Sequence, residues 1–135
     1  MLMSDFFTLV QHDLPVKVVV FNNGSFGFIE IEQKSSGFLD TGTTLRNPNF
    51  VAMAEAIYVR GIRLEDPGDV ESGIAEALAH HGPVLIDAAV SRMVLPVPPS
   101  ITADMAKGFT LYMLKAIMAG RGDELVDLAR TNLWQ

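Results

Sequence analysis

The sequence predicts an α/β protein built on a parallel sheet and followed by a helical tail. Apolar runs at 16–21 and 84–90 are nearly continuous, which is typical of strands covered on both faces. Segments with helical spacing alternate with these runs, so right-handed crossovers between parallel strands are expected. A proline-rich stretch at 96–100 then changes the composition, and two further helical patterns follow it.

Each element has a local signal in the sequence. Pro15 ends the first helical pattern, Asn49 caps a helix that runs through Tyr58, and Asp66-Pro67 opens a helix to about His80. The last of these is expected to bury Val70, Ile74, Ala77 and Leu78. In order we predict a helix at 2–12, a strand at 16–21, a helix at 25–34, a polar loop at 35–47, helix 49–58, strand 61–64, helix 67–80, strand 84–90, and tail helices at about 103–119 and 123–133.

Composition limits the classes of protein to which the chain can belong. Its 135 residues are 49% hydrophobic and 19% charged, which predicts a folded, core-rich protein. The net charge of −6 argues against nucleic acid as a partner. The chain has no cysteine, which excludes disulfide scaffolds and thiolate metal sites and suits the cytoplasm. No apolar run approaches the ~20 residues that span a bilayer.

The first strand ends in Asn22-Asn23-Gly24, and two interpretations of this tripeptide are open. Ligands of open parallel sheets bind beyond the carboxyl ends of the strands, and an asparagine side-chain oxygen suits Mg²⁺. The adjacent glycine would let the backbone approach such a ligand closely. The alternative is that Asn-Gly is simply turn chemistry, because both residues tolerate left-handed backbone.

A longer stretch carries a family resemblance. The segments LPVKVVVFNNGSFGFIEIEQ and NPNFVAMAEAIYVRGIRLEDPGDVESGIAEALAHHGPVLIDAAV resemble the C-terminal half of the diphosphate-binding domain of thiamine diphosphate-dependent enzymes, over about residues 2–92. The tail, AKGFTLYMLKAIMAGRGDELVDLARTN, is similar to the C-terminus of bacterial quinone-dependent pyruvate dehydrogenases, also called pyruvate oxidases. Those enzymes oxidise and decarboxylate pyruvate to acetate with thiamine diphosphate, Mg²⁺ and FAD.

The resemblance implies a set of site residues. Asn23 matches the side-chain ligand of Mg²⁺, and Ser25 matches the position that offers its main-chain carbonyl. Phe28 and Glu32 match positions near the thiazolium and flavin end of the site, although no catalytic residue is assigned. The implied cofactor-binding residues are Asn22, Asn23, Gly24, Ser25, Phe26, Gly27 and Phe28.

The sequence also departs from the family pattern. The Gly-Asp-Gly motif, whose aspartate supplies the anionic Mg²⁺ ligand, is absent from the 135 residues, and so is any likeness to an FAD domain. We therefore expect a fragment that is inactive alone, whether a remnant, a wrongly assigned start or a truncated product. Its partners would be the rest of the enzyme or further copies of itself, since an open sheet edge favours self-association.

The tail admits two interpretations. Amphipathic helices can lie at a membrane surface, or they can pack on the protein. From residue 101 onward four basic and four acidic residues balance, so attraction to anionic lipid would be weak. The resemblance adds a membrane-binding tail near the quinone, in a cytoplasmic protein peripheral to the inner face of the cell membrane. The implied membrane residues are Phe109, Tyr112, Met113, Ile117, Leu125, Leu128 and Trp134.

The predicted organisation is a half-domain at 1–95, a proline-rich linker at 96–102 and the amphipathic tail at 103–135. Two other functions stay open: a non-catalytic interaction or lipid-binding fragment, and part of another thiamine diphosphate enzyme, such as acetolactate synthase or a 2-oxo-acid decarboxylase. Asp87 is either a functional acid or the end of a buried strand. Glu30 and Glu32 share a face only if residues 28–32 are extended.

Overall fold

The computed structural model describes residues 4–94 and 102–132. In chain order its elements are α1 (Asp5–Gln11), β1 (Lys17–Asn22), α2 (Gly27–Ser35), α3 (Phe50–Glu55), β2 (Arg60–Leu64), a 3-10 helix (Pro67–Asp69), α4 (Val70–Ala79), β3 (Val84–Ala89), α5 (Ala103–Met118) and α6 (Gly122–Asn132).

These elements group into two compact units. The sheet unit comprises Met1–Asn22 and Arg46–Val90, and the helical unit comprises Asn23–Leu45 and Ser91–Gln135. Most of the predicted linker, 96–102, lies outside the described residues, so the predicted domain boundary at residue 95 stays a prediction.

The sheet unit contains the predicted parallel sheet, which confirms the α/β fold class. Its described strands all run in one direction in the order β1-β3-β2, so β3, the last of them in the chain, is central. Asn22 of β1 is paired with Ala89 and Leu64 of β2 with Ala88. The carboxyl ends of the strands therefore meet at one edge of the sheet.

Two apolar clusters cover the two faces of β3, because successive side chains of a strand point to opposite faces. One cluster joins Val84 and Ile86 to β2 and α4, and the other packs Leu85 against α3. This two-sided burial explains why the strand has an almost continuous apolar sequence. The buried members are Ile62, Leu64, Ala77, Val84 and Ile86 in the first cluster, and Phe50, Ala54, Val59 and Leu85 in the second.

The predicted helix caps of the sheet unit are confirmed, with two differences in the helices themselves. The Asn49 side chain accepts a hydrogen bond from the Ala52 amide at 3.0 Å. Asp66 caps the 3-10 helix rather than α4 directly. Helix α3 ends at Glu55 rather than at Tyr58, because Tyr58 adopts the left-handed conformation, with φ 64°.

The burial prediction for α4 was half wrong. Ala77 is buried and Ile74 packs on the cluster around β2 and β3, as expected. Val70 and Leu78 are 46% and 68% exposed. The face that α4 presents to the sheet is thus narrower than the apolar face of its sequence.

The helical unit contains α2, α5 and α6. Helix α5 approaches the end of α2 so closely at Gly108 that an added Cβ would lie 1.8 Å from the Ser35 carbonyl oxygen. The Lys115 ammonium donates to the Gly37 carbonyl oxygen at 2.7 Å. Within the described residues, no helix combines the length and the apolar character needed to cross a membrane.

Candidate functional site

The predicted cofactor residues divide between the two units. Asn22 belongs to the sheet unit, whereas Asn23 and the residues through Phe28 belong to the helical unit. The two groups are therefore described separately.

In the sheet unit, the side chain of Asn22 is held at both ends. Its Nδ2 donates to Oδ1 of Asp87 at 3.0 Å, and its Oδ1 accepts from Nδ2 of Asn47 at 2.8 Å. The main-chain carbonyl of Asn22 accepts from the Val90 amide at 3.1 Å. The last residue of β1 is thus fixed through its backbone and its side chain.

Asp87 is the acid at the centre of this cluster. It is 2% exposed and forms a very short ion pair with Nη1 of Arg63, which also contacts Glu65. The hydrogen bond to Asp87 is the main cause that raises the pKa of Arg63 above its ordinary value. The cluster borders a pocket of about 540 Å³. Sequence reasoning left Asp87 undecided, since its ionic partner lies on another strand.

In the helical unit, the residues after β1 form a tight turn. Oδ1 of Asn23 accepts from the Ser25 amide at 3.0 Å, and Gly24 has φ 64°, a conformation that glycine adopts without strain. Ser25 pairs with Thr44 in an antiparallel bridge. Asn23 and Gly24 therefore form a turn, as one of the two interpretations predicted. Oδ1 of Asn23 retains a second lone pair that could bind a cation.

Ser25 provides a second oxygen beside this turn. The residue is 7% exposed, and its hydroxyl donates to Oε2 of Glu30 at 2.6 Å. No hydrogen bond among the described residues reaches its main-chain carbonyl oxygen. Because buried carbonyl groups are normally paired, this oxygen is a candidate metal ligand, and an amide oxygen with a carbonyl oxygen suits Mg²⁺.

Helix α2 begins directly after this turn. Phe26 occupies the cap position and offers no side-chain acceptor to the first amides of the helix, a setting that suits an anionic group. A Cβ added to Gly27 would lie 3.2 Å from Nδ2 of Asn23, so this glycine leaves room for the asparagine side chain. Phe28 is 75% exposed and Glu32 is also exposed, so both are open to a ligand or another protein surface.

Sequence reasoning missed a network of charges centred on Glu30. Residues 27–35 are helical, so Glu30 and Glu32 lie on different faces, and Glu30 points into the unit. Its carboxylate accepts from Nζ of Lys34 at 2.6 Å and from Nε of Arg92 at 3.2 Å. The spacing of Glu30 and Lys34 is a helical ion-pair signal, but it does not reveal that both side chains are buried.

The network continues to Asp40, which accepts from Arg121 at 2.7 Å. Burial opposes ionisation of Glu30 and Asp40. For Glu30, hydrogen bonds from Lys34 and Ser25 outweigh this effect of burial. For Asp40, the hydrogen bond from Arg121 does the same, so the pKa of each carboxyl is lowered. Burial raises the pKa of Tyr112, which lies nearby. The charged residues surround a cavity of about 290 Å³.

The implied membrane residues do not share one exposed face. Tyr112 and Leu128 are buried within the helical unit, Phe109 and Leu125 are half-buried, and Met113 and Ile117 are exposed. The Lys34 ammonium lies 5.5 Å from the centre of the Tyr112 ring. Packing accounts for Tyr112 and Leu128. Trp134 lies outside the described residues.

His80 and His81 are exposed at the end of α4. In the described ranges, no group of three or more His, Cys, Asp or Glu side chains is placed to hold a metal ion.

Comparison with known proteins identifies related sequences. Residues 1–88 match the family described as thiamine pyrophosphate enzyme, C-terminal TPP binding domain. The chain is 35% identical over 131 residues to YdaP of Bacillus subtilis, named as a thiamine pyrophosphate-containing protein, and this match covers 97% of the chain. It is 38% identical over 95 residues to a pyruvate oxidase of Lactiplantibacillus plantarum, covering 67% of the chain. It is 33% identical over 88 residues to a mitochondrial acetolactate synthase of Schizosaccharomyces pombe, covering 63%.

These relatives are much longer proteins. The matched regions are 23% of YdaP, 16% of the pyruvate oxidase and 13% of the acetolactate synthase. The chain thus spans less than a quarter of the length of these relatives.

Proposed function

This chain belongs to the thiamine pyrophosphate enzymes, as a C-terminal TPP-binding domain, and on that premise we propose that it contributes part of the cofactor site of a pyruvate oxidase-type enzyme. The reaction would be the oxidative decarboxylation of pyruvate to acetate, with quinone as the electron acceptor. Thiamine diphosphate supplies the electron sink for such chemistry, and the protein supplies orientation and electrostatics.

The observation that carries the proposal is the Asn23–Phe26 turn. It combines a partly buried carboxamide oxygen, a Ser25 carbonyl oxygen that no hydrogen bond from the described residues reaches, and the start of α2 without a side-chain cap. In the proposal, Asn23 and the Ser25 carbonyl bind Mg²⁺, and the backbone from Gly24 to Gly27 faces the diphosphate. The exposed ring of Phe28 and the carboxylate of Glu32 face the thiazolium end.

Both proposed ligands of the metal are uncharged. Mg²⁺ sheds its water reluctantly, so an amide oxygen and a carbonyl oxygen bind it weakly without an anionic ligand. We therefore propose that the 135-residue polypeptide needs a Gly-Asp-Gly aspartate from elsewhere, and that FAD binds to another part of the assembled enzyme. Alone, it should not oxidise pyruvate.

Calorimetric titration with thiamine diphosphate and Mg²⁺ tests the cofactor assignment. The chain, mixed with a polypeptide that carries the Gly-Asp-Gly segment of the family, should bind the cofactor only when Mg²⁺ is present. The Asn23→Ala variant should bind at least about tenfold more weakly, whereas Asn49→Ala should bind like the wild type. Cofactor binding that is independent of both Mg²⁺ and Asn23 would contradict the proposal.

Acetolactate synthase is the second candidate, because several relatives at about 30% identity carry that name. The identity to the pyruvate oxidase is higher, at 38%, and we favour pyruvate oxidation for that reason. Product analysis separates the two: the complemented enzyme should yield acetate from pyruvate in the presence of a quinone. Acetolactate as the main product would select the second candidate.

We also propose that α5 contributes to binding at a membrane surface. Apolar side chains on its exposed side support this, among them Leu114, Ile117 and Met118, the last 88% exposed. In liposome flotation, the Ile117→Asp/Met118→Asp variant should lose binding. The matched control is Tyr58→Asp, since Tyr58 is also 88% exposed but lies in the sheet unit. Equal flotation of both variants would remove the membrane proposal and leave the cofactor proposal untouched.

A further inference from the structure

A row of polar side chains crosses the three described strands of the sheet. Arg63 of β2 lies directly opposite Asp87 of β3 in the register, and Val20 is the partner of Asp87 on β1. Asn22 is two residues beyond Val20, so its side chain points to the same face as that of Asp87. The resulting sequence of contacts is Arg63 to Asp87, Asp87 to Asn22, and Asn22 to Asn47.

Burial of the Asp87 carboxylate is energetically unfavourable unless its charge is compensated. A buried carboxylate is stable only when its charge is paired and its oxygens accept hydrogen bonds. The guanidinium of Arg63 provides the opposite charge at Oδ2 of Asp87, and the carboxamide of Asn22 donates a hydrogen bond to Oδ1 of Asp87. Because a carboxylate only accepts hydrogen bonds, this contact also decides which end of the Asn22 carboxamide faces the sheet.

The two adjacent asparagines therefore have different surroundings. Both ends of the Asn22 carboxamide bind other side chains of the sheet unit. The Asn23 carboxamide oxygen accepts one backbone amide, which leaves it the capacity for a further partner. Their adjacency in the sequence does not reveal this division.

We infer that Asp87 is a positioning residue: through the Asn22 carboxamide it fixes the last residue of β1, so that Asn22 anchors the Asn-Asn pair and Asn23 serves as the ligand. The inference rests on the proposed function, which makes Asn23 a metal ligand. It adds Asp87, Arg63 and Asn47 as residues that act on the cofactor site without contacting the cofactor.

Exchanging the two groups tests the Asp87–Asn22 contact directly. Asn22→Asp places two carboxylates side by side, and Asp87→Asn leaves one acceptor oxygen for two donors. Each variant should lower the folding equilibrium constant at least about tenfold in urea unfolding. The double variant Asn22→Asp/Asp87→Asn restores one carboxylate and one amide but leaves Arg63 opposite a neutral amide, so it should be more stable than either single variant without reaching the wild type.

The matched control is Asn23→Asp, which introduces the same charge one residue further along the chain. It should stay within about threefold of the wild type, because a carboxylate can also accept from the Ser25 amide. A double variant no more stable than the weaker single variant would overturn the inference. So would equal destabilisation by Asn22→Asp and Asn23→Asp.

Cofactor binding by the complemented chain tests the positioning role. Without urea, and at a temperature where all variants are folded, Asp87→Asn should weaken Mg²⁺-dependent binding of thiamine diphosphate about tenfold, and the double variant should recover part of this loss. Asn23→Asp should bind Mg²⁺ at least as tightly as the wild type, because it gains an anionic ligand. Wild-type affinity in Asp87→Asn would overturn the positioning role.

The two proposals fail in different ways. If the wild type binds no thiamine diphosphate, the proposed function fails, and the assignment of Asp87 to the cofactor site fails with it. The stability of the exchanged variant still shows in that case whether Asp87 and Asn22 interact as described.

Discussion

The two units of this chain are stabilised by different physics. The sheet unit has apolar clusters on both faces of β3, in which Val84, Leu85 and Ile86 are at most 2% exposed. In the helical unit the buried side chains include Glu30 and Lys34, and its buried hydrophobic residues among those described are Tyr112, Ala116 and Leu128. Apolar burial is non-directional, whereas paired charges depend on each partner and on its protonation.

This difference bears on function. The residues proposed to bind the metal, Asn23 and Ser25, lie in the unit that depends on charges, and the Ser25 hydroxyl donates to Glu30 itself. A change in the network should therefore alter this turn. The sheet unit instead holds Asn22, whose surroundings depend on a single buried carboxylate, Asp87.

The largest expected effect comes from removing the central charge of the helical unit. Glu30→Gln leaves the buried Lys34 ammonium without its carboxylate, which should cost about 3–5 kcal/mol of unfolding free energy. Hydrogen exchange of the α5 amides measures the loss. Glu30→Gln/Lys34→Met removes both charges and should recover at least half of it, because apolar groups can replace a buried pair.

The control for this prediction is Asp104→Asn, which breaks an exposed pair with Lys107. Since both side chains are largely in water, little change in α5 exchange is expected. If Glu30→Gln were no more harmful than Asp104→Asn, the helical unit would not depend on its charges.

The next largest effect tests the apolar core. Leu85→Ala removes a buried side chain packed among Phe50, Ala54 and Val59, and should cost about 2–5 kcal/mol. Exchange of the β3 amides reports it, and the loss should not depend on salt or pH between 5 and 8. Leu78→Ala, at a residue that is 68% exposed, should change stability by no more than about 0.5 kcal/mol. Similar losses in both variants would contradict the assignment of the core.

A smaller effect is expected from acid, which should destabilise the helical unit at a higher pH than the sheet unit. The pKa values of Glu30 and Asp40 are lowered in the folded state from ordinary values of 4.5 and 3.8. Their contribution to stability is therefore complete above these values and is lost as the pH falls through the lower, folded-state pKa values. Exchange in α5 should accelerate below pH 4.5 before exchange in β3 does. Simultaneous loss of protection in both elements would show that these carboxyls do not control the helical unit.

The smallest effects should be equal in the two units. Asn49 caps α3 and Thr102 caps α5, each by accepting a backbone amide, at 3.0 and 3.2 Å. Replacement of either by Ala should cost about 1 kcal/mol in its own unit, measured by urea unfolding with hydrogen exchange. Because the effect of a cap is local, the two losses of unfolding free energy should be similar. A large difference between them would show that the units differ in their helix ends as well as in their interiors.

Local patterns predicted most of the elements correctly. The apolar runs gave β1 and β3, the Asn49 cap and the Asp66-Pro67 start lie where expected, and the two tail helices are at 103–118 and 122–132. These signals succeed because strand alternation, helix spacing and capping depend on residues close in the chain. The predicted end of α3 was wrong, since Tyr58 adopts a left-handed conformation that its residue type does not suggest.

The sequence by itself determined the α/β class, the turn after β1 and the family resemblance, because each depends on neighbouring residues. Tertiary structure alone decided the strand order β1-β3-β2, the pairing of Asp87 with Arg63 and Asn22, and the burial of Glu30, Lys34 and Tyr112. The physical reason is that a charge is stabilised by partners in space. The partners of Asp87 are 24 and 65 residues away in the chain, where no local pattern can connect them.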